Sequence, residues 1–238
     1  MSASPSYAAA SSTTEGLAPG DRAVVAAAVV ETHLGEQFVD LDTQRHAATF
    51  GMWVFLASEA LFFGALFALY AGYRTAYPHA FRVAAQHTDL LLGSTMTYVL
   101  LTASFLVALA VGAVRVGAPR RAATLLVAAA ALAALFLVLK AVEWSDHLQA
   151  DIFPGHYEAN VALTAPGARA FFTLYYLMTG LHFLHTLAGF FVLAWLAVRA
   201  RRGAYGPLWH TPLELGGMYW HFVDVVWLFL WPLFYLLR

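Results

Sequence analysis

The chain has 238 residues, no cysteine and a formal net charge of −1, with 61% hydrophobic residues and only 11% charged ones. So apolar a composition excludes an ordinary soluble domain, and a charge near zero gives no basis for a nucleic-acid partner. Without thiols there can be no disulfide, no C-x-x-C-H haem attachment and no cysteine-ligated copper, zinc or iron–sulfur centre within these residues.

Residues 1–45 read as a disordered or surface-lying cytoplasmic tail, separate from a transmembrane domain over 46–238. Ser, Ala and Thr open the tail, and the apolar stretch from Ala23 to Val30 is too short to span a bilayer. That stretch lacks a basic flank and follows Gly16, Pro19 and Gly20, which argues against a cleavable leader. Glu31, Glu36, Asp40 and Asp42 then form an acidic patch.

Five spans follow, at about His46–Tyr73, Leu90–Val114, Arg121–Trp144, Ala168–Val198 and Pro212–Leu237, punctuated by Gly117-Ala118-Pro119, Pro166-Gly167 and Gly206-Pro207. The expected fold class is therefore all-α, a polytopic membrane helix bundle. Basic residues set its orientation. Arg22, Arg45, Arg115, Arg120, Arg121, Arg199, Arg201 and Arg202 fall on one side, against Arg74, Arg82, Arg169 and Arg238 on the other. The richer side faces the cytoplasm, which puts the N-terminus inside and the C-terminus outside.

The first span carries Glu59 near its midpoint, with Phe55, Leu56, Phe62 and Phe63 as helical neighbours. Nothing local pairs a charge there, so the acid either stays protonated or finds a partner on another helix. Ala60, Gly64, Ala68 and Gly72 recur at steps of four and form a ridge suited to close helix packing. In the second span, Ser94, Thr95, Thr97, Thr102 and Ser104 offer hydroxyls that bond along or across helices. The third ends with Lys140 and Glu143 three residues apart, an expected ion pair near the outer end within reach of headgroup water.

The fourth span contains Thr179-Gly180-Leu181-His182-Phe183-Leu184-His185. Two histidines three apart could share a metal, but only His221 and Glu143 offer themselves as further ligands and no H-E-x-x-H pattern is present. The better expectation is a pair of buried histidines bonded to backbone or to acids on other helices. In the fifth span, His221 and Asp224 are three apart, and Asp224 lies in line with Trp220, Trp227 and Trp231. A carboxylate facing lipid costs about 2.5–3.5 kcal/mol on insertion scales. Asp224 is accordingly expected on an inward face, bonded to His221 or to an indole N–H of a neighbouring helix.

Four stretches together resemble one family. Tyr219-Trp220-His221-Phe222-Val223-Asp224-Val225-Val226-Trp227-Leu228-Phe229-Leu230-Trp231, led by Glu214, resembles the closing helix of cytochrome c oxidase subunit III in the haem-copper oxidase superfamily. Ser58 to Phe63 resembles the segment around that family's membrane-embedded, carbodiimide-reactive glutamate. Leu139 to Trp144 resembles the segment of its next acid, and Thr179 to Gly189 its T-G-x-H-x-x-H-x-x-x-G motif.

The resemblance implies a subunit that is not catalytic by itself. It would have no haem or copper of its own, those being held by oxidase subunits I and II, and would belong to a respiratory complex that passes electrons from cytochrome c to oxygen and pumps protons. In the family this subunit packs beside subunit I, supports proton uptake and protects the oxygen-reducing site. A multi-pass place in the bacterial cytoplasmic membrane follows, among membrane lipids. The match covers the last five of the seven spans of the mitochondrial form, so a lipid-holding cleft built with the first two would need those helices from elsewhere. Bound phospholipid stays an open expectation.

No catalytic, cofactor-binding or metal residue is assigned. Glu59, Lys140, Glu143, His182, His185, Glu214, His221 and Asp224 are the buried polar candidates for structure or for proton and lipid linkage. Quinol oxidase relatives favour Asp at the Glu59 position and F-W-H-F-L-D-V-V-W in the closing helix, so Glu59, Tyr219 and Val223 lean toward cytochrome c as donor. An accessory subunit of nitric oxide reductase shares the fold. A stand-alone proton-coupled transporter would show internal repeats or broken helices, and neither is visible in the sequence.

Overall fold

A computed structural model describes residues 27–28, 33–150, 152 and 166–237. Six α-helices are delimited among the described residues: α1 Leu41–Ala76, α2 Pro78–Ala85, α3 Leu90–Arg115, α4 Pro119–Gln149, α5 Pro166–Arg201 and α6 Thr211–Trp231. A π-helical turn, Pro232–Leu236, follows α6 directly. No β-ladder forms among the described residues, and five of the helices are long and apolar enough to cross a membrane.

Local chemistry sets the helix ends. Asp40 is extended and its Oδ1 accepts from the Thr43 amide at 2.6 Å, capping α1. Because that N–H stabilises the charged carboxylate, Asp40 is held below the usual aspartate range. Asp89 caps α3 in the same way, through the amides of Leu91 and Leu92. Proline opens α2, α4 and α5, where its missing N–H is an orphan in any case. Gly117 (φ 76°) and Gly203 (φ 71°) take the left-handed conformation after α3 and α5. The next amides, of Ala118 and Ala204, then reach back to Ala113 and Arg199.

Tail residues 33–45 belong to the described chain, and α1 begins within them, at Leu41, earlier than the sequence pattern placed the first span. The rest of the tail and the α4–α5 connection fall almost wholly outside the described residues. The amphipathic α2 went unnoticed in the sequence. It tucks Phe81, Ala84 and Ala85 beneath α5.

Helices α3, α4, α5 and α6 form the compact part of the bundle, around Phe136, Tyr175, Trp220 and Trp227. Glycines permit the closest crossings. A Cβ on Gly189 would lie 2.9 Å from the Trp220 ring, and one on Gly93 would lie 2.6 Å from the Tyr235 ring. Helix α1 is the outlier. Only 11% of its most apolar window is buried, against 33–44% for the other four spans. Its ridge of Ala60, Gly64, Ala68 and Gly72 is exposed, and nothing lies within 4 Å of a Cβ placed on Gly64 or Gly72. Among the described residues, therefore, the ridge packs against no helix.

Candidate functional site

The bundle gathers its polar side chains into separate groups, each joining different helices. The first lies between α1 and α5. Glu59 Oε2 meets His185 Nε2 at 3.0 Å, so the acid takes a partner from another helix. His185 Nδ1 lies 2.8 Å from the Leu181 carbonyl, and the Tyr219 hydroxyl donates to the His185 carbonyl at 3.0 Å. Both members of the pair are about one-fifth exposed at the bundle surface.

A second group closes the bundle near the ends of α4 and α6. Lys140 Nζ donates to Glu143 Oε2 at 2.8 Å and to the hydroxyls of Tyr175 and Tyr235 at 3.0 and 2.8 Å. The Tyr235 hydroxyl in turn donates to Glu143. Tyr175, Trp227, Tyr235 and Trp144 surround the ammonium with ring faces at 4.6–5.8 Å. Headgroup water, expected for this pair from its place near the helix end, does not reach it: Lys140 is 0% and Glu143 2% exposed. Two tyrosines and the aromatic rings take the place of water, and nothing local in the sequence marked Tyr175 or Tyr235 as partners.

The π-turn that carries Tyr235 is fastened from three sides. Tyr70 on α1 donates to the Leu233 carbonyl, and Thr88, after α2, donates to the Phe234 carbonyl at 2.9 Å. Tyr235 itself reaches into the cage around Lys140.

The fifth-span expectation also needs correction. His221 Nδ1 lies 3.3 Å from Ser104 Oγ on α3 rather than against Asp224. Asp224 is buried beside the same Ser104, and its Oδ1 has no hydrogen-bond partner among the described residues. Of the indoles, Trp227 donates across to Thr97 at 3.0 Å, while the N–H groups of Trp220 and Trp231 have no partner there. Helical rotation turns His221 toward α3 and the outside, and turns Asp224 inward. Ser94, Thr95, Thr97 and Thr102 each donate to the carbonyl four residues back, so the hydroxyls of α3 bond mainly along their own helix.

The two histidines of α5 diverge. His182 is buried in the core, stacked on Trp227 at 5.2 Å and 3.2 Å from the Thr186 hydroxyl, whereas His185 faces α1. Among the described residues no group of three or more His, Cys, Asp or Glu is placed to hold a metal ion.

At the opposite end of the bundle from the Lys140 cage, Glu214 at the start of α6 binds Arg45 of α1 at 3.0 Å and also Arg115 of α3. His210 Nε2 lies 3.2 Å away. One carboxylate thus ties three helices together. Nearby, burial pushes the Tyr205 phenol up to about 12.

These contacts define a multi-pass membrane subunit whose intramembrane polar groups serve mainly one another across helices. The model of the family Cytochrome c oxidase subunit III matches residues 31–237, and the chain belongs to that family. It is 31% identical over 194 residues to Cytochrome c oxidase subunit 3 of Thermostichus vulcanus, covering 79% of this chain and 86% of that relative. It is 29% identical to an Aeropyrum pernix protein named Heme-copper oxidase subunit I+III, covering 78% of this chain and 22% of that longer protein. Quinol oxidase subunit 3 of Bacillus spizizenii is 25% identical, with 79% of this chain and 85% of the relative covered.

Proposed function

We propose that this chain is the accessory, non-redox subunit of a respiratory haem-copper terminal oxidase in a bacterial cytoplasmic membrane, where it stabilises the catalytic subunit and supports proton uptake. Its partners are oxidase subunits I and II, which hold the haem and copper, and the complex carries electrons from cytochrome c to oxygen and pumps protons. The N-terminus lies inside, with the residues that precede α1 on the cytoplasmic side, and the C-terminus lies outside.

The observation that carries this reading is the family match over residues 31–237. Geometry supports it. A membrane helix with only 11% of its most apolar window buried and an uncovered small-residue ridge has a surface suited to a neighbouring helix. Cytochrome c is preferred as donor because Glu59, Tyr219 and Val223 follow the cytochrome c form of the motifs. A quinol donor is the second reading, favoured by the quinol oxidase relative.

The test is copurification in mild detergent. A tagged chain should bring down a haem-bearing subunit, and the complex should consume oxygen with reduced cytochrome c rather than with a quinol. A colourless, stable, fully helical monomer would refute the accessory reading, and oxidation of quinol alone would change the donor.

A further inference from the structure

Asp224 is the one acid of the bundle core that neither an ion pair nor the function just proposed employs. It is 5% exposed. Among the described residues its Oδ1 has no hydrogen-bond partner, and Ser104 of α3 is the polar side chain set against the carboxyl. The titratable groups of the surrounding helices are engaged elsewhere. Glu59 and His185 face each other, Lys140 and Glu143 share their own cage, and His182 stacks on Trp227. An ionised carboxyl in such a place is costly, and taking up one proton removes the charge.

Ser104 supplies a connection. Four other hydroxyls of α3 donate to carbonyls of their own helix. That of Ser104 is set across the bundle instead, against Asp224 and 3.3 Å from His221 Nδ1. An alcohol accepts one proton while donating another, so it can join two groups that are not bonded to each other. Here it stands between an acid turned inward and an imidazole turned outward.

Beyond His221 the way leads to water. The ring lines a hollow of about 620 Å³ between α1, α3 and α6, and Asp42, Arg45, His46, Arg115 and Glu214 stand around its mouth. Asp42 and His46 are exposed there. His221 lies seven residues into α6 from Glu214, about 10 Å at roughly 1.5 Å per residue. An adjoining hollow of about 460 Å³ has no titratable group besides His221. His221 is therefore the last titratable side chain along this opening, and its Nε2 has no partner among the described residues.

We propose that Asp224 is a reversible proton-binding site, loaded from the hollow through His221 and Ser104. A proton from water adds to His221 Nε2, and the proton on Nδ1 passes to Ser104 Oγ. At the same time the original hydroxyl proton of Ser104 passes to the Asp224 carboxylate. The acid ends neutral, the hydroxyl is restored, and His221 is left neutral with its proton on Nε2. One proton is consumed and no electron moves. The reverse sequence returns the proton to the same hollow. The site uses helices of this chain alone, and it rests on the chain's place in a membrane and not on the identity of its electron donor.

Infrared spectroscopy of the assembled complex tests the route. A protonated carboxyl has a C=O band apart from those of amides and carboxylates, and the band shifts when its proton is exchanged for deuterium. The wild-type complex should show such a band, missing in Asp224→Asn. On transfer to heavy water, its shift should be about a hundredfold slower in Ser104→Ala and His221→Phe, the low end for loss of a positioned proton carrier. Ser104→Thr keeps the hydroxyl and should exchange like the wild type. If no band at any pH depends on Asp224, or if Ser104→Ala exchanges as fast as the wild type, the proposal is overturned. Asp224→Glu, which keeps the carboxyl but moves its band, makes the assignment should Asp224→Asn fail to assemble. Ala108→Trp fills the hollow from its α3 wall and replaces the relay variants in the same event. Slower exchange in it supports the route, and unchanged exchange overturns it. The band is read whatever the complex accepts electrons from, so the site can fail while the accessory function stands.

Discussion

The carboxylate of Glu59 on α1 and the imidazole of His185 on α5 face one another, Oε2 to Nε2, at 3.0 Å. His185 Nδ1 lies against the Leu181 carbonyl and must donate to it, because a carbonyl only accepts. At Nε2, 3.0 Å from Glu59, a neutral ring can only accept and needs a protonated acid, while a charged ring donates to a carboxylate. Both arrangements leave the pair with no net charge, which suits a site at membrane depth. Glu59→Gln can still donate an amide N–H to a neutral His185. That variant should keep its haem spectra and initial oxygen consumption nearly unchanged, with at most a faster loss of activity over repeated turnovers. An immediate collapse of rate and proton ejection in a fully assembled complex would make Glu59 an obligatory proton carrier.

Removing one member of the buried ion pair should cost far more than removing both. Lys140→Met strands Glu143 away from water, and loss of one partner of such a pair costs about 3–5 kcal/mol. Lys140→Met/Glu143→Leu leaves no uncompensated charge and should recover most of that loss. Thermal melting of the detergent-solubilised complex measures the difference. Equal damage from the single and double variants would mean that the charges are not coupled.

The glycines of the chain should divide by what surrounds them. Gly93→Ala drives a methyl into the anchored Tyr235 ring, an overpacking cost of about 1–3 kcal/mol. A side chain at Gly64 starts into open space among the described residues, so in Gly64→Leu the isolated subunit should keep its helicity while its assembly with the catalytic subunit fails. Circular dichroism beside pull-down yield distinguishes the two effects, and a Gly64→Leu chain that assembles normally would move the partner surface elsewhere.

Ser104→Ala removes the hydroxyl that serves His221 across the bundle. A lowering of stability by about 0.5–1.5 kcal/mol is expected, typical of one hydrogen bond. Thermal melting of that variant beside His221→Ala checks the pairing. The double variant should be no worse than the poorer single one if the bond is what matters.

The cap of α1 gives a pH dependence. Asp40 is bound by the Thr43 amide, which lowers its affinity for a proton in the folded chain. Its contribution to the first turn is complete above the usual value of 3.8 and is lost as pH falls through the lower folded value. Hydrogen exchange at the Thr43 amide should thus stay protected near pH 4 and lose protection in Asp40→Ala at any pH. Equal exchange in the two proteins would show that the cap contributes nothing.

Much of the architecture was legible because membrane spans are coded by length and hydrophobicity, which need no partner to be seen. Where each polar side chain goes was less legible. Spacing put Lys140 beside Glu143, and the structure joins them. Their depth depended on Tyr175 and Tyr235 arriving from two other helices, and no local pattern carries that. The same spacing argument paired His221 with Asp224, whereas the packing of α3 against α6 sets both of them beside Ser104 instead. Helix α2 escaped notice because eight residues are too few for periodicity to register. Only Pro78 at its first position signalled it.

The fastened π-turn bears on how the subunit is made. Helix α4 leaves the ribosome well before Tyr235 does, so Lys140 and Glu143 enter the bilayer without one of the hydroxyls that later enclose them. Completion of the cage therefore waits on insertion of α6 and on the positions of Tyr70 and Thr88. A chain interrupted before Pro232 would leave the Lys140–Glu143 pair facing an unfilled place where the Tyr235 hydroxyl belongs.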